Sequence, residues 1–135
     1  MPSPNSPNEE PFWLTVEIVI AIHDEQLSIH GGSGGLRDRA LLESALSRPL
    51  NKWAYEKADL ADLAAAYGFG IARNHPFIDG NKRTALLAIY TFLGVNDIDF
   101  VVPEPEAAAM IIALAAGEVS EESLARWIRD NWPKA

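Results

Sequence analysis

Nine consecutive residues near the middle of the chain carry most of the groups that could do chemistry. The segment 75–83 reads His-Pro-Phe-Ile-Asp-Gly-Asn-Lys-Arg and lies between two apolar segments with helical spacing. It places an imidazole, a carboxylate, a glycine, an amide and two cations in one short break. That combination suits a site that holds a phosphate chain and a metal ion beside a general base. Few purely structural loops need all of these groups at once.

The flanking segments define where the break lies. Residues 59–74 have apolar side chains at helical spacing, and Pro76 disfavours a helical backbone for the residue before it, so this helix is predicted to end at about residue 74. The segment 84–93 is almost entirely apolar and predicts a second, largely buried helix. Its start is predicted near Gly80 or Asn81, because glycine tolerates unusual backbone angles and asparagine is a good N-cap.

A helix that starts there makes an anion-binding site. The backbone amides of residues 80–83 would lack partners within the helix and would point into the break, at the positive end of the helix dipole. Lys82 and Arg83 add full positive charges, and an arginine can bind a phosphate with two hydrogen bonds. Arg73, in the helix before the break, either joins this basic group or pairs with an acid of its own helix.

Asp79 and His75 complete the chemical set. A carboxylate one residue before an anion site would repel phosphate unless a divalent cation lay between them, and Mg²⁺ is usually held by one or two carboxylates plus substrate phosphates. A histidine titrates near neutral pH, which suits His75 to remove a proton from an attacking hydroxyl. Phe77 is predicted to anchor the loop on the core. The structural alternative is a buried histidine, a carboxylate at a helix start and a solvated pair of cations.

The segment resembles the signature of the Fic/Doc family, written H-x-F-x-(D/E/N)-(G/A)-N-(G/K)-R. The lysine after the asparagine is similar to the Doc branch, the toxins of death-on-curing toxin–antitoxin pairs. The similarity covers nearly the whole chain from about residue 12 onward, with weaker likenesses at residues 21–24, 34–38, 41–45, 72–73 and 116–120. The resemblance implies an all-α fold, a compact bundle of about six helices with a central helix following the signature loop.

The resemblance also implies a nucleotide-dependent transferase. In Fic enzymes the signature histidine is the general base for a Ser, Thr or Tyr hydroxyl of a target protein. The acidic residue holds Mg²⁺, and the segment after it binds the phosphates of ATP. By this match the base is His75, the metal ligand is Asp79, and the phosphate-binding residues are Gly80, Asn81 and Arg83, together with Lys82.

Two departures from the standard Fic pattern bear on the reaction. Lys82 stands where standard Fic enzymes have a second glycine, and Leu86 stands where they have a second arginine. A long cationic side chain fills space that a bare backbone would leave for the α-phosphate. Doc-type enzymes share the lysine and bind the nucleotide in a reversed orientation that presents the γ-phosphate. The resemblance therefore implies phosphorylation of a protein hydroxyl, and in Doc the target is translation elongation factor Tu.

Two alternatives stay open: transfer of AMP from ATP on the same fold, and a catalytically silent module that only binds an anion or a nucleotide. A P-loop is not among them, because the chain has no G-x-x-x-x-G-K-(S/T) segment. Gly68 and Gly70 lie in a helical pattern, where close helix packing explains them. The inhibitory helix motif of many Fic proteins, (S/T)-x-x-x-E-(G/N), is not found, so the expected inhibitor is a separate cognate antitoxin.

Composition is typical of a small cytoplasmic domain. The chain has 135 residues and no cysteine, which excludes disulfides and thiolate metal sites, and its net charge of −8 argues against nucleic acid as the main partner. No apolar run reaches the roughly 18 residues that a membrane span needs, and the start lacks the pattern of a signal peptide. We expect residues 1–10 to be a disordered tail and residues 11–135 to form the Fic/Doc domain.

The remaining elements follow from periodicity and breakers. Further helices are predicted at residues 14–29, 36–46, 104–116 and 121–132, a short extended stretch at 98–102, and a glycine-rich turn at 31–35. Pro49 is expected to end the second of these helices. Since a flap that aligns the target precedes the active helix in Fic proteins, residues 49–56 are the candidate flap. His23 and Asp24 are assigned solvent-facing or capping roles rather than metal binding.

Overall fold

The computed structural model describes residues 9–134, which fold into six helices and form no strand. The helices are α1 (Val16–His30), α2 (Arg39–Tyr55), α3 (Leu60–Asn74), α4 (Asn81–Val95), α5 (Glu104–Ala115) and α6 (Glu121–Asp130). The prediction of an all-α bundle of about six helices is confirmed. Of the predicted tail, only Glu9 and Glu10 fall within the described range. No helix in this range combines the length and the apolar character needed to cross a membrane.

The two helices that flank the signature loop form the centre of the bundle. α3 packs against α2, α4, α5 and α6, and eleven of its 15 residues are buried. Glycines allow this close packing, as predicted. A Cβ added to Gly70 would lie 3.1 Å from the backbone of Ala45 in α2, and one on Gly68 would lie 2.6 Å from Ile89 in α4. The loop between α3 and α4 thus joins two closely packed helices at the centre of the bundle.

A capping box starts α3 and connects it to α6. Asp59 Oδ1 accepts a hydrogen bond from the Asp62 amide at 2.8 Å, and Asp62 Oδ2 accepts one from the Asp59 amide at 3.1 Å. Arg129 of α6 donates to both carboxylates, reaching Asp62 at 2.9 Å. Burial alone would raise the pKa of the Asp62 carboxyl, but the hydrogen bonds from Arg129 and from the Asp59 backbone hold that pKa below its ordinary value.

α2 differs from the prediction at both ends. It begins at residue 39 because Asp38 caps it, with Oδ1 accepting from the Leu41 amide at 3.1 Å. Pro49 does not end the helix; it is buried within it, and the helix continues to Tyr55. The packing of α2 against α3 therefore overrides the hydrogen bond that a proline removes. The assignment of residues 49–56 as a flap is wrong, because almost all of this segment is regular helix.

The segment before α5 is extended in pattern without belonging to a sheet. Residues 98–102 pair with no strand within the described part of the chain. Ile98, Phe100 and Val102 are nevertheless buried, while Asp99 and Val101 are exposed. This alternation is the period of an extended backbone. The segment fills the core with every second side chain and brings α5 back towards α4.

Candidate active site

The loop between α3 and α4 begins and ends with left-handed backbone. His75 caps α3 with φ 50° and ψ 56°, a conformation that few residues other than glycine adopt, and its amide donates to the Ile71 carbonyl at 3.3 Å. Gly80, with φ 78°, is the N-cap of α4, and Asn81 is the first helical residue. The predicted helix end at residue 74 and the predicted helix start at Gly80 or Asn81 are both confirmed.

Asn81 ties the two ends of the loop together. Its Oδ1 accepts from the Phe77 amide and its Nδ2 donates to the Phe77 carbonyl, both at 2.9 Å. These two bonds fix the orientation of the side-chain amide, and Nδ2 also lies 3.3 Å from His75 Nδ1. Since an amide nitrogen only donates, Nδ1 is the acceptor in this contact, and the neutral ring carries its proton on Nε2. Asn81 thereby orients the imidazole as well as starting the helix.

Phe77 and His23 hold the loop against α1. Phe77 is 1% exposed and stacks on the His23 ring, with centroids 3.8 Å apart and an interplanar angle of 7°. His23 is equally buried, and its Nε2 donates to the Asp79 carbonyl at 2.7 Å. The solvent-facing or capping role predicted for His23 is therefore wrong. Val19, His23 and Gln26 are the buried residues of α1, and their spacing of four and three places them on one face of the helix.

The connection between α1 and α2, residues 31–38, runs beside the loop. Leu36 and Phe77 form an isolated antiparallel bridge, and the Ile78 amide donates to the Gly35 carbonyl at 3.1 Å. This pairing is a fragment of sheet-like hydrogen bonding in a helical protein. It fixes the middle of the loop to a segment that is distant in sequence.

Arg37 adds a side-chain contact to that connection. Its guanidinium donates to the His75 carbonyl at 2.7 Å and to the Asn74 carbonyl at 3.1 Å, while its amide donates to the Pro76 carbonyl at 2.7 Å. A cation at the carboxyl end of α3 is favoured by the helix dipole and satisfies carbonyls that have no partner within the helix. Arg37 therefore holds the backbone of the residue that carries the imidazole.

The carboxylate of Asp79 lies at the start of α4. Its Oδ1 accepts from the Gly80 amide at 2.8 Å, and its Oδ2 accepts from the Ser33 amide at 3.4 Å. A Cβ on Gly32 would lie 2.8 Å from Oδ2, so glycine lets the connection close over the carboxylate. No cluster of three or more His, Cys, Asp or Glu side chains suitable for a metal ion is found between residues 9 and 134. A carboxylate beside a helix start that carries two cations fits Mg²⁺, which takes its other ligands from phosphates and water.

One cavity of about 480 Å³ collects the predicted site residues. Its polar wall contains His75, Asp79, Gly80, Asn81, Lys82 and Arg83. Its apolar wall comes from Ile78, Leu86 and the side of α5 that carries Ala108 and Ile111. Lys82 and Arg83 are exposed, and neither forms an ion pair with another described residue. The start of α4 thus presents two uncommitted cations to a cavity that also holds the imidazole and the carboxylate.

Two of the predicted site residues do not line this cavity. Phe77 lies beneath it in the core. Arg73 is exposed on α3, and its guanidinium lies over the Phe69 ring, 5.3 Å from the centroid. The structure brings the imidazole, the carboxylate and the helix start together and leaves Arg73 outside.

The match to known proteins agrees with this geometry. Residues 13–93, more than half of the chain, match the model of the Fic/DOC family. The chain belongs to the Fic/Doc family. It is 38% identical over 117 residues to "Protein kinase doc" of Escherichia phage P1, covering 86% of this chain and 92% of that protein. It is 44% identical over 72 residues to "Toxin Doc" of Mycolicibacterium smegmatis, covering 50% of this chain and 54% of that protein. Both relatives support the Doc branch.

Residues outside the signature segment 75–83 also help to form the site. His23, Gln26 and Arg37 contact the signature loop or line the cavity, yet none stood out in the sequence as part of the site. Each belongs to α1 or to the connection that follows it. In this protein the first helix and its connection are therefore structural parts of the site.

Proposed function

We propose that this Doc-branch protein is the toxin of a toxin–antitoxin pair and that it transfers the γ-phosphate of ATP to a Ser or Thr hydroxyl of a protein. The target that we propose is translation elongation factor Tu, so that the modification blocks translation. The observation that carries the proposal is the cavity shared by His75, Asp79 and the start of α4. The relative named "Protein kinase doc", at 38% identity, supports phosphate transfer. The expected inhibitor is the cognate antitoxin.

Phosphate binding at the start of α4 follows from its charges. Phosphoryl transfer is mainly positioning plus neutralisation of charge. The backbone amides of residues 81–83 have no partners within the helix, and Lys82 and Arg83 reach the same cavity. Asp79 would hold Mg²⁺, which supplies further neutralisation of the phosphate charge when bound. Together these groups suit the oxygens of a polyphosphate.

Proton removal is the role proposed for His75. The ring must accept the hydroxyl proton as the hydroxyl oxygen bonds to phosphorus and the bond to the departing ADP breaks. In the structure Nδ1 accepts from Asn81, which leaves the proton on Nε2. In the other tautomer the Nε2 lone pair is free, but Nδ1–H faces the Asn81 donor, so the exposed ring gives up this long 3.3 Å contact when Nε2 acts as the base. A neutral imidazole beside the cavity is then the base.

The choice of phosphate over AMP rests on two cavity residues. Lys82 lines the cavity where a standard Fic enzyme would have bare glycine backbone, and Leu86 places an apolar side chain where such an enzyme would have a second arginine. A long cation near the helix start leaves less room for an α-phosphate that carries a nucleoside. A terminal phosphate, which has free oxygens, fits beside it more easily.

Labelling with two forms of ATP tests the reaction. The purified protein is incubated with elongation factor Tu, or with bacterial lysate, and with ATP labelled either at the γ-phosphate or at the α-phosphate. We expect label on the target protein from γ-labelled ATP alone. Protein-bound label from α-labelled ATP would instead establish AMP transfer and contradict the kinase proposal.

A matched pair of histidine variants tests the base. His75→Ala removes the proposed base, and we expect labelling to fall by at least about a hundredfold, the size of a general-base contribution. His30→Ala changes an exposed histidine at the end of α1 and should label like the unchanged protein. Growth arrest that persists in His75→Ala would favour the binding module over the enzyme.

A further inference from the structure

Gln26 is a buried amide whose donor has no partner inside the protein. The residue lies on α1 and is 3% exposed, and its Nε2 is buried without a hydrogen bond. A buried donor without a partner costs free energy, and folded proteins contain few of them. Within residues 9–134 one other buried side-chain atom is in this state, Oγ1 of Thr84 in the first turn of α4. Both atoms therefore belong to the region around the start of α4.

Gln26 lies beside the start of α4. Its side chain lines the cavity and lies against Gly80, where an added Cβ would come within 2.2 Å of Nε2. His23, almost one turn earlier on α1, already donates to the Asp79 carbonyl at 2.7 Å. α1 thus presents two polar side chains to the loop, one satisfied by the protein and one not. The unsatisfied one is nearest the backbone that starts α4.

We propose that Gln26 is a phosphate-binding residue whose side-chain amide donates a hydrogen bond to an oxygen of the anion at the start of α4. This inference rests on the proposed function, since it names a further contact of the same ligand. Phosphate oxygens are strong acceptors, and a neutral amide adds a directed donor without adding charge beside Lys82 and Arg83. Because no bond holds Nε2, rotation of the terminal amide sacrifices no hydrogen bond at that atom.

A purely structural role would not require an amide at this position. A methionine has a similar length and no donor to leave unsatisfied, so it would fill the same space at lower cost. A buried amide donor without a partner is expected to destabilise the free protein, and an arriving acceptor would compensate it. Burial and chemistry at Gln26 are thus those of a ligand contact.

Calorimetric titration tests this contact. The probes are inorganic tripolyphosphate and a non-hydrolysable ATP analogue, each with Mg²⁺. For Gln26→Met we expect a tenfold to hundredfold loss of affinity for both probes, roughly the loss for one hydrogen bond to a charged group. The thermal midpoint of the free variant should be unchanged or higher. Ser28→Met, the same substitution at an exposed site of α1, should bind like the unchanged protein.

A second variant separates a contact from packing. Gln26→Glu keeps the shape and places a carboxylate beside the anion, so its affinity loss at pH 7 should exceed that of Gln26→Met. The loss should shrink relative to the unchanged protein as the pH falls and the carboxyl is protonated, because the protonated acid donates again. Equal affinity of all three proteins for tripolyphosphate would overturn the inference and leave the proposed function intact. Failure of the unchanged protein to bind either probe would overturn the proposed nucleotide function and this inference with it.

Discussion

Gly80 starts α4 with a backbone conformation that favours glycine. Its φ of 78° is in the left-handed region, where a side chain adds strain, and a Cβ there would meet Gln26 Nε2 at 2.2 Å. Gly94, later in the same helix, has open space around an added Cβ. Alanine can therefore be accommodated without a steric clash at Gly94 but not at Gly80.

Alanine substitutions at these glycines should have opposite effects. Gly80→Ala should lower the free energy of unfolding by about 1–3 kcal/mol, the usual cost of a strained backbone, and should still allow labelling of the target, because the family signature admits alanine at this position. Gly94→Ala should raise that free energy by about 0.5–1 kcal/mol and leave labelling unchanged. Urea denaturation followed by circular dichroism measures the first quantity. A Gly80→Ala protein as stable as the unchanged protein would show that the start of α4 needs no glycine.

At this scale the sequence indicates which polar groups share the cavity, but it does not indicate which residues hold them in place. The imidazole, the carboxylate and the cations of segment 75–83 were recognisable because they are adjacent and follow a known signature. His23 and Gln26 were not, because α1 has apolar residues on several faces and its pattern does not show which face turns inward. Arg37 acts through backbone carbonyls of distant residues, and a sequence contains no mark of such a contact.

Among the elements, α3 and α6 are joined by charge as well as by packing. Asp62 and Arg129 form an ion pair at the N-terminus of α3, where the helix dipole also stabilises a carboxylate. Both side chains are partly exposed, at 27% and 45%, so the pair should contribute in the range of surface ion pairs. The lowered pKa of Asp62 makes this contribution depend on pH.

Asp62→Asn tests the contribution of this pair. The variant keeps an acceptor for the Asp59 amide but loses the charge, and we expect a loss of about 0.5–1 kcal/mol in unfolding free energy near pH 7. A depressed pKa stabilises the folded state above the unfolded value of about 3.9 and ceases to do so as the pH falls through the lower, folded value. The difference between the two proteins should therefore start to shrink as the pH falls below about 4 and vanish below the folded pKa of Asp62. A difference constant from pH 7 to pH 3 in urea titrations would contradict this.

Element boundaries were predictable where local chemistry decides them. The end of α3 and the start of α4 follow from a proline, a glycine and an asparagine in the sequence. The course of α2 through Pro49 did not follow from local rules, because burial against neighbouring helices outweighs one lost hydrogen bond. The segment 98–102 showed its extended pattern, but nothing local says whether a partner strand exists.

In the whole molecule, Glu121 connects the last helix to the second. Its carboxylate is 10% exposed and pairs with Arg48 and with Lys52, whose Nζ lies 2.9 Å away. Burial alone would lower the pKa of the Lys52 ammonium, but the hydrogen bond and the charge of Glu121 raise it. The chain has a net charge of −8, but the negative charge of Glu121 is compensated by two neighbouring cations.

Removal of the Glu121 charge should lower the stability of the whole fold. Glu121→Gln leaves two neighbouring cations without their common partner, and we expect the free energy of unfolding to fall by about 1–3 kcal/mol. Glu122→Gln, at the exposed neighbour, should change it by less than about 0.5 kcal/mol. Equal urea midpoints for the two variants would show that the cluster contributes nothing to stability.

The left-handed backbone at His75 has a consequence for how this site can evolve. Apart from glycine, that conformation is best tolerated by asparagine, aspartate and histidine, which leaves few side chains able to take a proton. Glutamate, lysine or tyrosine would add backbone strain before any question of reactivity arose. Two requirements therefore limit which residues can replace His75: the side chain must tolerate the left-handed backbone, and it must be able to take a proton.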